Sequence, residues 1–125
     1  MEERRTTRTI LVIEDDLTLG EILLQIVRDE TPHQGLLARN GRQAREMIAS
    51  IKPALLLLDY HLPDTNGVDL YDHLHAVEGL EEVPALFVSG CVPLDEVKKR
   101  NLISLSKPFD LDELLHIIEQ TLSII

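Results

Sequence analysis

Apolar residues fall into two alternating patterns along this chain. Ile10-Leu11-Val12-Ile13, Ala54-Leu55-Leu56-Leu57-Leu58 and Ala85-Leu86-Phe87-Val88 are short unbroken apolar runs. Runs of that length, bounded by polar residues or proline, have the signature of strands buried on both faces. Gly35-Leu36-Leu37-Ala38 is a weaker run that suits an edge strand, and Leu102-Ile103-Ser104-Leu105 gives a fifth. Helical spacing fills the intervals. Leu19, Ile22, Leu23, Ile26 and Val27 repeat at i, i+3, i+4, i+7 and i+8, and Thr31-Pro32 ends that helix. Gly20 weakens it by up to about 1 kcal/mol relative to alanine.

After an Asn40-Gly41 turn, Ala44, Met47, Ile48 and Ile51 predict a second helix stopped at Lys52-Pro53. A third helix starts at Gly67 or Val68 and turns Leu70, Leu74 and Val77 inward. The last has Asp110 as N-cap, with Glu113 three residues on as a capping box. Its buried stripe is Leu111, Leu114, Leu115, Ile118 and Leu122. Strands that alternate strictly with helices pair in parallel, with helices on both faces. The fold class is therefore α/β, a (βα)5 doubly wound sheet. Open sheets of this kind hold their ligands at the carboxyl ends of the strands. Those ends carry Glu14-Asp15-Asp16, Asp59, Ser89 and Lys107.

A length of 125 residues suits one domain, expected over residues 9–125 behind a polar, flexible lead-in of residues 1–8. Cys91 is the only cysteine, which fits a reducing, cytoplasmic location. No apolar run approaches the roughly 20 residues of a membrane helix. Asp and Glu number 22 against 12 Lys and Arg, a formal net charge of −10. Direct nucleic-acid binding is thereby disfavoured, since phosphate contacts require clustered cations. Arg4, Arg5, Arg8 and the run Lys98-Lys99-Arg100 are taken as solvated surface. His33, His73, His75 and His116 are separated from the acidic strand ends by the element order, and are taken as ordinary surface or helix histidines.

Taken singly, the strand-end residues have ordinary explanations as caps, turn formers or surface charges. Together they make a chemical set. Carboxylates within about 5 Å of one another repel by roughly 3 kcal/mol per pair at an effective dielectric near 20. A hard divalent cation relieves that repulsion, and Mg2+ prefers a few carboxylates plus water. Lys107 supplies a second positive charge and Ser89 a hydroxyl, which is what phosphoryl transfer asks of its surroundings. Asp59 is then the nucleophile, forming an acyl phosphate.

The motifs carrying this set are Ile10-Leu11-Val12-Ile13-Glu14-Asp15-Asp16, Leu58-Asp59-Tyr60-His61-Leu62-Pro63-Asp64-Thr65-Asn66-Gly67, Phe87-Val88-Ser89-Gly90 and Ser106-Lys107-Pro108-Phe109. Over residues 9–123 the chain resembles a response-regulator receiver domain of two-component phosphorelay signalling. The resemblance implies a flavodoxin-like fold with strand order 2-1-3-4-5. It implies Asp59 as phosphoacceptor, taking a phosphoryl group from a phosphohistidine on a sensor histidine kinase or phosphotransfer protein. Asp15 would contact Mg2+ directly, Glu14 through water, and the His61 backbone carbonyl would complete the protein ligands beside Asp59. Asp16 is expected to cap helix 1 rather than bind metal. Ser89 would turn toward the phosphoryl oxygen, small Gly90 would leave Asp59 open to approach, and His61 and Cys91 stand where the family tunes phosphoryl lifetime. Such a domain is not a conventional enzyme, although it assists its own phosphorylation and dephosphorylation.

Two departures stand out. Many receivers carry an aromatic residue three positions before the strand-5 lysine; here it is Ser104. Only twelve residues, Gly90 to Asn101, separate Ser89 from Leu102, so helix 4 is expected to be short or irregular, anchored by Val97 and Leu94. These departures are what favour the alternative of a pseudo-receiver, an interaction module working without phosphorylation. An aspartate-nucleophile phosphohydrolase would want a second Asp where His61 stands. Nucleotide or flavin binding would want a glycine-rich turn in place of Glu14-Asp15-Asp16-Leu17-Thr18-Leu19-Gly20. The chain ends at Ile125, right after helix 5, which is compatible with a piece of a hybrid kinase or larger regulator; a stand-alone protein and a homodimer stay open.

Overall fold

Leu55–Leu58, the central strand β3, is buried at every residue, as an all-leucine run between two helical layers must be. A computed structural model of the chain describes residues 7–89, 93–100 and 102–123. Around β3 lie β1 (Thr9–Ile13), β2 (Gln34–Ala38), β4 (Ala85–Ser89) and β5 (Ile103–Ser106). All four pairings are parallel and the order is β2-β1-β3-β4-β5, as expected for a flavodoxin-like sheet. Five helices cover it: α1 (Leu17–Glu30), α2 (Gly41–Met47), α3 (Gly67–His75), α4 (Leu94–Lys99) and α5 (Leu111–Ser123). Among the described residues no helix is long and apolar enough to cross a membrane.

The strand period of two divides the core into halves. Leu11, Ile13, Leu56, Leu58, Ala85 and Phe87 pack with Ala44 of α2, Leu70 and Leu74 of α3, and Val97 of α4. Ile10, Val12, Leu55, Leu57, Leu86, Val88 and Leu105 face Leu23 and Val27 of α1 and Leu114, Ile118 and Leu122 of α5.

Several local expectations change. Ile22 is 47% exposed, because the inward line of α1 runs through Gly20, Leu23 and Val27. Gly20 is a packing position: a Cβ there would stand 3.1 Å from the Leu37 side chain and 3.6 Å from Cγ of Glu14. Helix α2 stops at Met47, short of Ile51, because the Ala49 and Ser50 N–H groups turn back to Glu46 and Met47 carbonyls in a tightened last turn. Leu111 is 41% exposed, outside the buried stripe of α5. Asp110 precedes α5, its carbonyl accepting from Leu114 N–H at 3.0 Å.

Helix α4 is as short as its segment requires, six residues. Val97 anchors it, whereas Leu94 is 62% exposed and anchors nothing. Arg100, taken from sequence as solvated surface, instead fastens this helix. Its Nε and Nη2 donate to the two carboxylate oxygens of Asp72 on α3 at 2.8 and 2.7 Å, and its Nη1 donates to Glu96 Oε1 at 2.8 Å. A planar fork on a carboxylate fixes orientation as well as distance. Asp72 is held below the usual carboxylate range, chiefly by the hydrogen bonds from Arg100.

Two measurements test these constraints. Gly67 sits where a Cβ would meet the Asp59 carbonyl oxygen and the Phe87 ring, each at 2.7 Å. Gly67→Ala is expected to destabilise the fold by about 1–3 kcal/mol in denaturant unfolding, the range for overpacking. Arg100→Ala is expected to accelerate amide hydrogen exchange in α4 while exchange in β1 and β3 stays slow.

Candidate functional site

The parallel register brings the strand exits together. Ile13 lies opposite Leu58, so the next residues, Glu14 and Asp59, leave the sheet side by side. The ladder continues past the strands: Asp59 N–H donates to the Ile13 carbonyl and Glu14 N–H to the Ala38 carbonyl, both at 3.0 Å. Ser89 is the last residue of β4, paired through its backbone with Ser106, directly before Lys107. The Lys107–Pro108 peptide is cis.

Glu14, Asp15 and Asp59 offer carboxylate oxygens that all lie within 4.8 Å of one another. Glu14 and Asp59 are buried, at 2% and 6% exposure, while Asp15 faces solvent. Lys107 Nζ reaches Glu14 Oε1 at 3.4 Å and Asp59 Oδ1 at 3.7 Å. Among the described residues Lys107 is the one cation paired within this cluster, and it reaches two of the three acids. The Glu14 carboxyl is pushed from 4.5 up to about 7, chiefly by burial and also by the neighbouring Asp59 carboxylate. The Asp16 N–H, donating to Glu14 Oε2 at 3.2 Å, and the charge of Lys107 oppose that rise. Asp16 has the capping role expected of it, its Oδ1 accepting from Leu19 N–H at 3.1 Å.

The loop after Asp59 is closed twice. His61 and Asn66 form an isolated antiparallel bridge, and Gly67 N–H donates to the Tyr60 carbonyl at 2.7 Å. The His61 ring is exposed and lies edge-on to Tyr60 at 4.8 Å. Asn66 caps α3, its Oδ1 accepting from Asp69 N–H at 2.9 Å. Sequence reasoning missed Asp64, whose two carboxylate oxygens accept from Gly41 and Arg42 N–H at 2.8 and 2.9 Å. Those bonds, the Gly41 one foremost, hold its carboxyl below the usual range. No local pattern could have revealed a partner more than twenty residues away. Gly90 and Cys91 lie outside the described residues. Of the other histidines, His75 is fastened between the carbonyls of Tyr71 and Val83, and His33 Nδ1 accepts from Arg8 N–H at 3.2 Å.

Three carboxylates of this hardness and spacing suit a small hard cation rather than a soft one. A tetrahedral dianion beside Asp59 would need the charge of such a cation together with that of Lys107.

Comparison with known proteins agrees with this geometry. The family model described as "Response regulator receiver domain" matches residues 10–119. Sporulation initiation phosphotransferase F of Bacillus subtilis (strain 168) is 26% identical over 117 residues, covering 90% of this chain and 92% of that protein. Transcriptional regulatory protein DpiA of Escherichia coli (strain K12) is 43% identical over 67 residues, 53% of this chain but only 30% of that protein. Among solved structures, a CheY-like receiver domain protein from Methanospirillum hungatei JF-1 superposes with a TM-score of 0.85 at 22% identity, over 94% of this chain and 95% of that one. The signal receiver domain of an HD domain-containing protein from Pseudomonas fluorescens Pf-5 gives 0.84 at 25% identity, over 94% and 96%. With its sheet order, its strand-end acids and the family match over residues 10–119, this chain belongs to the response regulator receiver domains.

Proposed function

We propose that Asp59 accepts a phosphoryl group from a phosphohistidine on a sensor histidine kinase or phosphotransfer protein, and that the domain, over residues 9–125, changes its partner interactions in response. The observation that carries this reading is Lys107 Nζ held 3.4 Å from Glu14 and 3.7 Å from Asp59 within a triad of carboxylates. A carboxylate oxygen of Asp59 attacks phosphorus, the P–N bond breaks, and its electron pair returns to the imidazole of the donor. Lys107 offers a positive charge to the phosphoryl oxygens, and Ser89, at the end of the adjacent strand, a hydroxyl.

Mg2+ would suit the donor set: Asp15, Asp59 and the His61 carbonyl would hold it, and Glu14 would assist through water. When bound, it neutralises charge on the carboxylates and on the phosphoryl group. Glu14 and Asp59 hold their positions because β1 and β3 hold them. The name of the Bacillus relative, a phosphotransferase, supports a phosphorelay role. A reducing, cytoplasmic setting belongs to the same proposal, as does the view that partners read a surface other than an aromatic switch on β5, where Ser104 stands exposed.

The crowded acids also link pH to stability in the absence of metal. Between pH 4.5 and about 7 the folded chain keeps a Glu14 proton that the unfolded chain has released. The folded form therefore binds more protons, and the Glu14 contribution to stability falls as pH rises through that window, then levels off above it. Glu14→Gln is expected to raise the thermal midpoint of the metal-free protein at pH 8 and to change it little at pH 4. Equal shifts at both values would contradict the linkage.

Labelling tests the central claim. Acetyl phosphate with Mg2+ is expected to add one phosphoryl group by intact mass, and Asp59→Ala to abolish the gain. Unchanged addition in the variant would remove Asp59 as acceptor. No addition to the parent protein would leave the pseudo-receiver reading in its place.

A further inference from the structure

Both asparagines among the described residues precede a glycine, Asn40-Gly41 and Asn66-Gly67. An asparagine in that setting is prone to deamidation, because a glycine without a Cβ lets its own amide nitrogen reach the asparagine side chain. The fold nevertheless requires both residues of the first pair. Asn40 caps α2, its Oδ1 accepting from Gln43 N–H at 2.8 Å. Gly41 has no room for a side chain, since a Cβ there would stand 2.7 Å from Cγ2 of Thr65. The restraint on the pair lies at the glycine nitrogen. Gly41 N–H donates to Asp64 Oδ1 at 2.8 Å, and Arg42 N–H to Asp64 Oδ2 at 2.9 Å. In the second pair main chain does the same work, Gly67 N–H donating to the Tyr60 carbonyl at 2.7 Å. The first lock is therefore an exposed side chain and the second is backbone.

We infer that Asn40 is a site of spontaneous deamidation in this chain, and that Asp64 keeps it closed while the loop from Tyr60 to Asn66 is seated on α2. The reaction begins when the Gly41 amide gives its proton to a solvent base. The nitrogen attacks Cγ of Asn40 and an N–C bond forms. The bond from Cγ to Nδ2 breaks, and Nδ2 takes a proton and leaves as ammonia. Water then opens the cyclic imide at either carbonyl, leaving aspartate or isoaspartate. Asp64 opposes the first step in two ways. Its oxygen holds the proton that must leave, and its charge disfavours an amide anion 2.8 Å away. The Gln43 bond acts in the other direction, drawing electrons from the side-chain carbonyl under attack. Asn40 lines the same groove as Asp15, so the product adds a carboxylate on the side of the acidic cluster. The isoaspartyl form also lengthens the main chain at the α2 cap.

Ageing of the full chain at mildly alkaline pH, followed by peptide mapping that separates aspartate and isoaspartate from asparagine, reads both pairs in one sample. In Asp64→Ala the rate at Asn40 is expected to rise about tenfold, the loss of one charge-assisted hydrogen bond, while Asn66 stays within about twofold of the parent. Asp64→Asn, which keeps an acceptor without the charge, is expected to lie between. Adding Asn40→Ser to Asp64→Ala, which keeps a capping oxygen but no amide, is expected to abolish the product at this position. A rate at Asn40 within about twofold of the parent in Asp64→Ala would overturn the inference. An equal rise at Asn40 and Asn66 in both Asp64 variants would overturn it too, since that pattern marks general opening of the fold and not the loss of a local lock.

Discussion

Three carboxylates forced together at one edge of a sheet are the constraint around which this domain is built. Glu14 and Asp59 cannot separate, because the register of β1 on β3 sets their spacing and the ladder continues through their own N–H groups. Solvent cannot screen them well, because both are buried. Lys107 offsets part of the repulsion from the far side of β4. Burial and the neighbouring acid still leave Glu14 with an affinity for protons far above that of a free side chain. A site in this condition gains free energy from a cation it can take up, and the fold sustains the strain through β1 and β3, which are buried on both faces.

Most of this was legible in the chain because it is periodic or strand-terminal. The apolar runs ending in Glu14, Asp59, Ser89 and Lys107 identify strands, and alternation with helices makes the sheet parallel, so the four residues must share an edge. Asp16 as a helix cap was legible for the same reason, since caps are written within four residues. Features that depend on distant partners were not. Arg100 sits in a run of three cations that resembles solvated surface, and only α3 reveals Asp72 as its partner. Ile22 and Leu111 fit their helical stripes, yet each stripe is wider than the face its helix buries. Gly20 counts against a helix by propensity alone, but the closeness of Leu37 and Glu14 makes a small residue useful there.

The short α4 changes the face on which it lies. A longer helix would cover β5. Here six residues hang from α3 through Arg100, and Ser104 and Ile103 are exposed on the edge strand. The tie that holds this end of α4 is ionic and runs to α3.

Asp64 carries a further consequence. The loop from Tyr60 to Asn66 is pinned at its two ends by the Gly67 and His61 contacts and at its middle by a carboxylate on the start of α2. Such a loop has no slack. Homologous exchange or insertion of a peptide tag here would break the seat of α2 as well as the floor beneath Asp59. The turn at Gly79 is exposed and has its backbone in the left-handed region, so a reporter spliced there, ahead of the buried Leu80, would leave both contacts in place.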